Sequence, residues 1–93
     1  MSNFTVKFAV YGALNGGNEN QTQAIDVSKS LQMALDSSDG IVTINNKTFG
    51  TDPSKGNSKH FGAQVTVNGA DHFFACLEGQ TIDFYHSIPP TSN

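Results

Sequence analysis

An alternating segment that ends at Asn68-Gly69 constrains the fold of this chain more than any other part of its sequence. Between Phe61 and Val67, apolar residues occupy every second position, which is the pattern of a half-buried β-strand. An Asn-Gly pair accepts the two positive φ angles that a type I′ turn requires. The segment from Asp71 to Leu77 is therefore predicted to return antiparallel, and the chain must build a sheet.

Three further segments have the composition of strands. Asn3 to Tyr11 alternates between apolar and polar residues, whereas Ile41 to Asn45 and Thr81 to His86 are shorter runs of the same kind. Period-two alternation predicts that one set of side chains faces the core. Outside the hairpin, the predicted inward residues of the first and last strands are Phe4, Val6, Phe8, Val10, Ile82 and Phe84.

One segment has helical periodicity. Asp26 is a suitable N-cap, and Val27, Leu31 and Leu35 follow at a spacing that forms one apolar stripe. So short a helix does not persist alone and must lie against a sheet. These patterns predict a mainly β fold: an antiparallel β-sandwich of five or more strands, with one short α-helix after the first strand. We expect one domain over residues 1–88 and a flexible tail over 89–93.

Composition excludes several classes of function. The net charge is −3 and the five basic residues are all lysines, so the chain has no basic stripe or arginine fork for nucleic acid. The longest apolar run, Phe73 to Leu77, is far shorter than the ~20 residues that span a bilayer. A single cysteine excludes an internal disulfide framework. Because no signal peptide is visible, we predict a cytoplasmic protein, or one exported without such a signal.

The reactive residue types do not form a recognisable catalytic motif. The histidines lack metal-ligand spacing, and Cys76 stands in an apolar run, which is typical of a core position. An enzyme would need His60, His72, Asp71 and Asp83 to converge in one pocket. We therefore predict a protein that is not an enzyme and has no cofactor and no metal.

Two functions fit a strand-rich chain without a reactive cluster. The first is a soluble binding or self-assembly module that recognises a protein partner or forms a homodimer, by edge pairing or by packing of sheet faces. The alternative is a carbohydrate-binding, lectin-like protein, because asparagine-rich loops and a tyrosine suit a glycan. The predicted ligand-binding residues are Asn18, Asn20, Asn45, Asn46 and Tyr85.

A series of short landmarks resembles a known small domain. They are Tyr11-Gly12, Asp26-Val27-Ser28, Leu31-Gln32, Phe49-Gly50, Asp52-Pro53, Gly56, Lys59, Val65-Thr66-Val67, Gly69 and His72. Their order is similar to that of a β-rich domain of unknown function found at the C-terminus of some J-domain (DnaJ-like) proteins and as short stand-alone proteins. The chain departs from it in the Asn/Gly-rich loop after Gly12 and in the ending Glu78 to Phe84. The resemblance implies a non-enzymatic β module and transfers no catalytic residue.

Overall fold

The computed structural model describes residues 3–87, which form two antiparallel sheets around one hydrophobic core. The strands and α-helices are β1 Phe4–Leu14, β2 Thr22–Asp26, α1 Ser28–Asp36, β3 Ile41–Thr43, α2 Asn46–Phe49, β4 His60–Val67, β5 Ala70–Leu77 and β6 Thr81–Asp83, and a 3₁₀ turn at Asn15–Gly17 joins β1 to β2. The larger sheet has the order β2-β1-β4-β5, and β3 pairs with β6 in a smaller one. The predicted mainly β, antiparallel fold is confirmed. The predicted tail at 89–93 lies outside the described residues.

The central hairpin forms as its sequence predicts. Asn68 and Gly69 have φ angles of 51° and 90° and join β4 to β5, with Val67 opposite Ala70. The alternate residues of β4 from Phe61 to Val67 are buried. The sequence pattern therefore identifies both the turn and the inward face of this hairpin correctly.

β1 contains a bulge that the alternation of its sequence does not reveal. The register with β4 shifts between Val6 and Phe8, and one additional residue in a strand reverses the side-chain direction of everything that follows. Ala9 and Tyr11 are buried, whereas Phe8 and Val10 are exposed on the opposite face. The prediction that Phe8 and Val10 face the core is therefore wrong.

The strand also continues past Tyr11, where the predicted strand segment ends. β1 runs to Leu14 and returns as β2, with Gly12 opposite Ala24. A Cβ on Gly12 would lie 2.3 Å from the Ala24 Cα, so only glycine allows the two backbones to approach this closely. Because β2 precedes the helix, α1 follows the second strand rather than the first. α2 is a further short helix, and the sequence analysis predicted only one.

α1 covers part of the inner face of the large sheet and also part of an edge. Its buried Leu31 and Leu35 confirm the predicted stripe. The Gln32 side chain accepts a hydrogen bond from Val6 N at 2.8 Å and donates one to Phe4 O at 3.0 Å. This amide therefore satisfies backbone groups of β1 beyond the part of that strand that β2 pairs with. No helix among residues 3–87 is long and apolar enough to cross a membrane.

Candidate functional site

The face of the large sheet that points away from the core carries large apolar side chains from β1 and β5. An antiparallel sheet with one solvated face usually alternates apolar residues inward with polar residues outward, and contiguous exposed apolar patches mark interaction sites. We call this surface the outer apolar face. Its large side chains, each exposing 42–73% of its surface, are Phe8, Val10, Leu14, Phe73 and Leu77.

Small residues leave a depression in the middle of the outer apolar face. Strand register aligns Gly12 with Ala24 on one side and His60 on the other, and aligns Gly62 with Val10. These residues line a shallow groove of about 370 Å³. A Cβ on Gly62 would meet only the Phe74 carbonyl oxygen, at 4.0 Å. The groove is therefore open above the backbone at Gly62, whereas at Gly12 the backbone of β2 lies close.

A buried cation lies at the start of β4. Lys59 Nζ is 2.9 Å from Asp52 Oδ1 and 3.4 Å from Glu78 Oε1, and it donates to the carbonyl oxygens of Ser54 and Asn57. Burial by itself lowers the pKa of Lys59, but the hydrogen bonds to the two carboxylates outweigh burial and raise it. The same contact lowers the pKa of Asp52. A lysine that stays protonated is a poor nucleophile. The contacts of Lys59 instead attach the 51–59 loop to the sheet at Glu78.

Side-chain oxygens of three of the asparagines predicted to bind a ligand accept hydrogen bonds within the chain. Asn18 Oδ1 accepts a hydrogen bond from Asn20 N at 2.9 Å within an exposed turn. Asn45 is the N-cap of α2, and its Oδ1 accepts from Thr48 N at 2.8 Å. Asn46 Oδ1 accepts a hydrogen bond from the Tyr11 hydroxyl at 2.6 Å. Two of the four side-chain oxygens are thus engaged in the packing around α2.

Tyr85, the fifth predicted residue, lies at the other end of β1 from the Asn18–Asn20 turn. Its ring is 4.6 Å from that of Phe4, and its hydroxyl accepts a hydrogen bond from Asn3 Nδ2. β1 is eleven residues long, which corresponds to about 35 Å of extended strand. The structure therefore does not bring the five residues together into one site.

The candidate acid–base residues do not converge either. His60 and Asp71 lie at opposite ends of the β4–β5 hairpin, whereas His72 takes the alternate, inward register. Asp83 contacts His86, with 2.9 Å between Oδ2 and Nδ1, and this hydrogen bond lowers the pKa of Asp83. Among residues 3–87, no three His, Cys, Asp or Glu side chains are grouped to hold a metal ion.

Cys76 is half-buried and packs against the core, as its apolar surroundings predict. Burial raises the pKa of its thiol. Nucleophilic cysteines require the opposite shift, towards the thiolate. The position is therefore that of a packing residue.

Sequence reasoning overlooked both the outer apolar face and the buried lysine, although each has a signal. In a strand, adjacent Phe73 and Phe74 must point to opposite faces, so one of the two rings lies on the outer side. Lys59 shares the odd-numbered register of the buried residues from Phe61 to Val67. Both signals come from the alternation of side-chain direction along a strand, applied to residues that do not themselves follow an alternating apolar pattern.

Comparison of the chain with protein-family models, with curated proteins and with solved structures found no match. The resemblance to the C-terminal domain of J-domain proteins stays a prediction. Function is accordingly inferred from the side chains and the backbone of this chain.

Proposed function

We propose that this chain is a non-catalytic module that binds protein, either a partner or a second copy of itself, through the outer apolar face. The observation that carries the proposal is the presence of five large, exposed apolar side chains on one sheet face. Single exposed apolar residues are normal on protein surfaces, whereas several large ones on one sheet face favour contact with another macromolecule.

The free energy gained by covering the outer apolar face must be compared with the cost of association. Covering about 400 Å² of apolar surface contributes roughly 10 kcal/mol before the costs of association are counted. Loss of translational and rotational freedom alone opposes this by about 4–15 kcal/mol. The outer apolar face therefore supports binding, but tight binding requires additional directional contacts beside it.

A double substitution tests the proposal. Phe73→Ser with Leu77→Ser removes the two most exposed large residues of β5, and Met33→Ser is the matched control because Met33 is equally apolar and 63% exposed on α1. The readouts are light scattering from low to high micromolar concentration and retention of proteins on the immobilised chain. We expect the double variant to lose self-association and retention, and the Met33 variant to keep both.

Two outcomes contradict the proposal. The first is a wild-type chain that neither self-associates nor retains any protein. The second is a double variant that behaves like wild type in both assays while remaining folded by circular dichroism.

A carbohydrate ligand is the second candidate, and one observation favours it. Asn57 Nδ2 donates to Asn15 Oδ1 at 3.2 Å, and Gly16 N donates to Asn57 Oδ1, so the asparagine-rich loop is held in place beside exposed Asn18 and Asn20. Pre-ordered amides lower the entropic cost of binding a sugar. A glycan array compares wild type with an Asn18→Ala, Asn20→Ala variant. Signals that are absent, or equal for both proteins, would exclude this loop as a sugar site.

A further inference from the structure

β5 is an edge strand whose main chain is open on one side. It lies at the end of the strand order β2-β1-β4-β5 and pairs with β4 without a register shift. Natural edge strands are usually protected by lysine, proline, a bulge or a covering element. The middle of β5, Phe73 to Cys76, has no lysine, proline or bulge, whereas the first half of β1 is covered by Gln32.

One hydrogen bond fixes which backbone groups of β5 point outward. Glu78 N donates to Lys59 O at 2.8 Å, and hydrogen-bonded and non-hydrogen-bonded pairs alternate along an antiparallel ladder. The even-numbered residues of β5 therefore bond to β4, and the odd-numbered residues direct N–H and C=O away from the sheet. At Leu77 these groups are already occupied, because Gln80 Oε1 accepts from Leu77 N and Gln80 N donates to Leu77 O.

Three alternate residues of β5 therefore keep unoccupied N–H and C=O groups on the open side in the described part of the chain, namely Asp71, Phe73 and Ala75. Across residues 3–87, none of their outward N–H or C=O groups has a hydrogen-bond partner within the chain. A groove of about 350 Å³, lined by Phe73, Ala75, Thr81 and Ser87 among others, runs beside them. An incoming extended strand thus finds both space and paired donors and acceptors at this edge.

We infer that the occupant of this edge is β5 of a second copy, paired antiparallel about a twofold axis at Phe73. Phe73 then faces Phe73 of the second copy, and each Asp71 faces Ala75 of the other chain. All three residue pairs exchange two main-chain hydrogen bonds. The inference rests on the proposed function, because it specifies which copy-to-copy contact accompanies the outer apolar face.

A twofold axis at Phe73 pairs more of the outward-directed residues of β5 than an axis at any other residue. A register centred on another residue leaves at least one of the three outward residues without a pair. Facing phenylalanines form a favourable cross-strand aromatic pair. The two Asp71 carboxylates are kept four residues apart, about 13 Å, which exceeds the Debye length of ~10 Å at 0.1 M salt.

The axis also joins the two outer apolar faces. A twofold axis perpendicular to the sheet keeps the same face of both copies on the same side, so the dimer has one continuous sheet of eight strands, four from each copy. The hydrogen bonds supply the directional contacts that the outer apolar face lacks by itself. Any further partner then meets a surface twice as wide as that of one chain.

Proline substitution at the two sheet edges tests the inference. Ala75→Pro removes an outward N–H and no bond to β4, a position where proline is tolerated in edge strands. Thr22→Pro is the matched control on the β2 edge, where the Val27 N to Ala9 O bond directs Thr22 outward. By light scattering we expect a wild-type dimer at high micromolar concentration, at least tenfold weaker dimerisation for Ala75→Pro, and no change for Thr22→Pro.

Amide hydrogen exchange gives an independent readout on the unmodified chain. We expect the amides of Phe73 and Ala75 to become protected as concentration rises, while those of Thr22 and Ala24 do not. Protection that is independent of concentration, or protection at the β2 edge instead, overturns the inference. If Ala75→Pro fails to fold, Phe73→Lys replaces it, because two lysines then oppose each other at the axis and must weaken the dimer.

A last variant separates failure of this inference from failure of the proposed function. Phe8→Ser with Leu14→Ser alters the outer apolar face on β1, which β4 separates from β5. If this variant is monomeric while Ala75→Pro still dimerises, face packing is the contact, and the strand pairing is wrong while the proposed function stands. A monomeric wild-type chain overturns the strand pairing, and retention of another protein then decides the proposed function separately.

Discussion

The two faces of the large sheet are built from the same strands, yet their environments differ fundamentally. On the inner face Phe61 and Val65 are 3% and 0% exposed, whereas Phe73 on the outer face is 73% exposed. Burial of the inner residues drives folding, because transfer from water is the dominant favourable contribution to stability. The outer residues contribute little to that transfer in the isolated chain. Similar residue types therefore specify the fold on one face and provide a surface for assembly on the other.

Truncation of one phenylalanine on each face tests this difference with the largest expected effect. Phe61→Ala is expected to cost about 3–5 kcal/mol in the free energy of unfolding, because it leaves a cavity beside Phe49. Phe73→Ala removes an exposed ring and is expected to cost no more than about 0.5 kcal/mol. Urea denaturation at low protein concentration measures both. Equal losses would mean that the outer face belongs to the core.

The buried lysine extends the comparison to charge on the inner register. Lys59→Met is expected to lower the free energy of unfolding by roughly 3 kcal/mol, because it removes the cation that contacts two carboxylates and donates to two carbonyl oxygens. Lys55→Met, in the same loop but exposed, is the control and is expected to change little. Urea midpoints compare the two, and a Lys59 variant as stable as its control would show that the cluster is dispensable.

Alkaline titration reports on the inner face, because Tyr11 is a titratable residue of that face. Burial, followed by the nearby Glu78 carboxylate, raises the pKa of Tyr11 from 10.0 to about 12. The unfolded chain then loses this proton first, so the stabilisation is complete below pH 10 and is lost as the pH rises towards 12. The raised pKa of Lys59 acts in the same direction.

Thermal unfolding across this range measures the effect, with Tyr11→Phe as the variant. We expect the wild-type melting temperature to fall above pH 10 and the Tyr11→Phe curve to fall less steeply. Parallel curves would assign the alkaline loss to other groups.

Two glycines on the outer side give the smallest and most exacting test. Gly12→Ala is expected to destabilise by about 1–3 kcal/mol, because its Cβ would collide with the β2 backbone. Gly62→Ala has open space and is expected to stabilise by about 0.5–1 kcal/mol, since alanine loses less backbone entropy on folding. Chemical denaturation of both variants checks the opposite signs, and matching signs would mean that the groove is not open at Gly62.

The extent to which the sequence predicts this molecule follows from how local each determinant is. The β4–β5 hairpin is predictable because Asn68-Gly69 and the alternation around it are contained in one short segment. The bulge between Val6 and Phe8 is not, because an inserted residue leaves a continuous apolar pattern in sequence and appears only in the pairing with β4. β2 has weak alternation and depends on the close approach at Gly12.

The candidate surface likewise depends on residues that are distant in sequence. The sequence predicts asparagines as ligand-binding residues, but Asn45 and Asn46 are needed to build and anchor α2. The outer apolar face draws its residues from β1 and β5, which are not neighbours in the sheet. It becomes recognisable only when the strand order and the bulge are known together.

The side-chain amide of Gln32, a residue of α1, controls hydrogen exchange at a backbone N–H of β1. Val6 N and Phe4 O bond to this side chain from α1, so Val6 can exchange its proton only when the Gln32 side chain releases it. Exchange at this strand position is therefore coupled to a helix residue, even though the two segments differ in secondary structure. Release of this one side chain is enough to uncover a backbone edge that the native fold keeps hidden. The free energy of that local opening, rather than global stability, sets how often this part of the chain is open to misassembly.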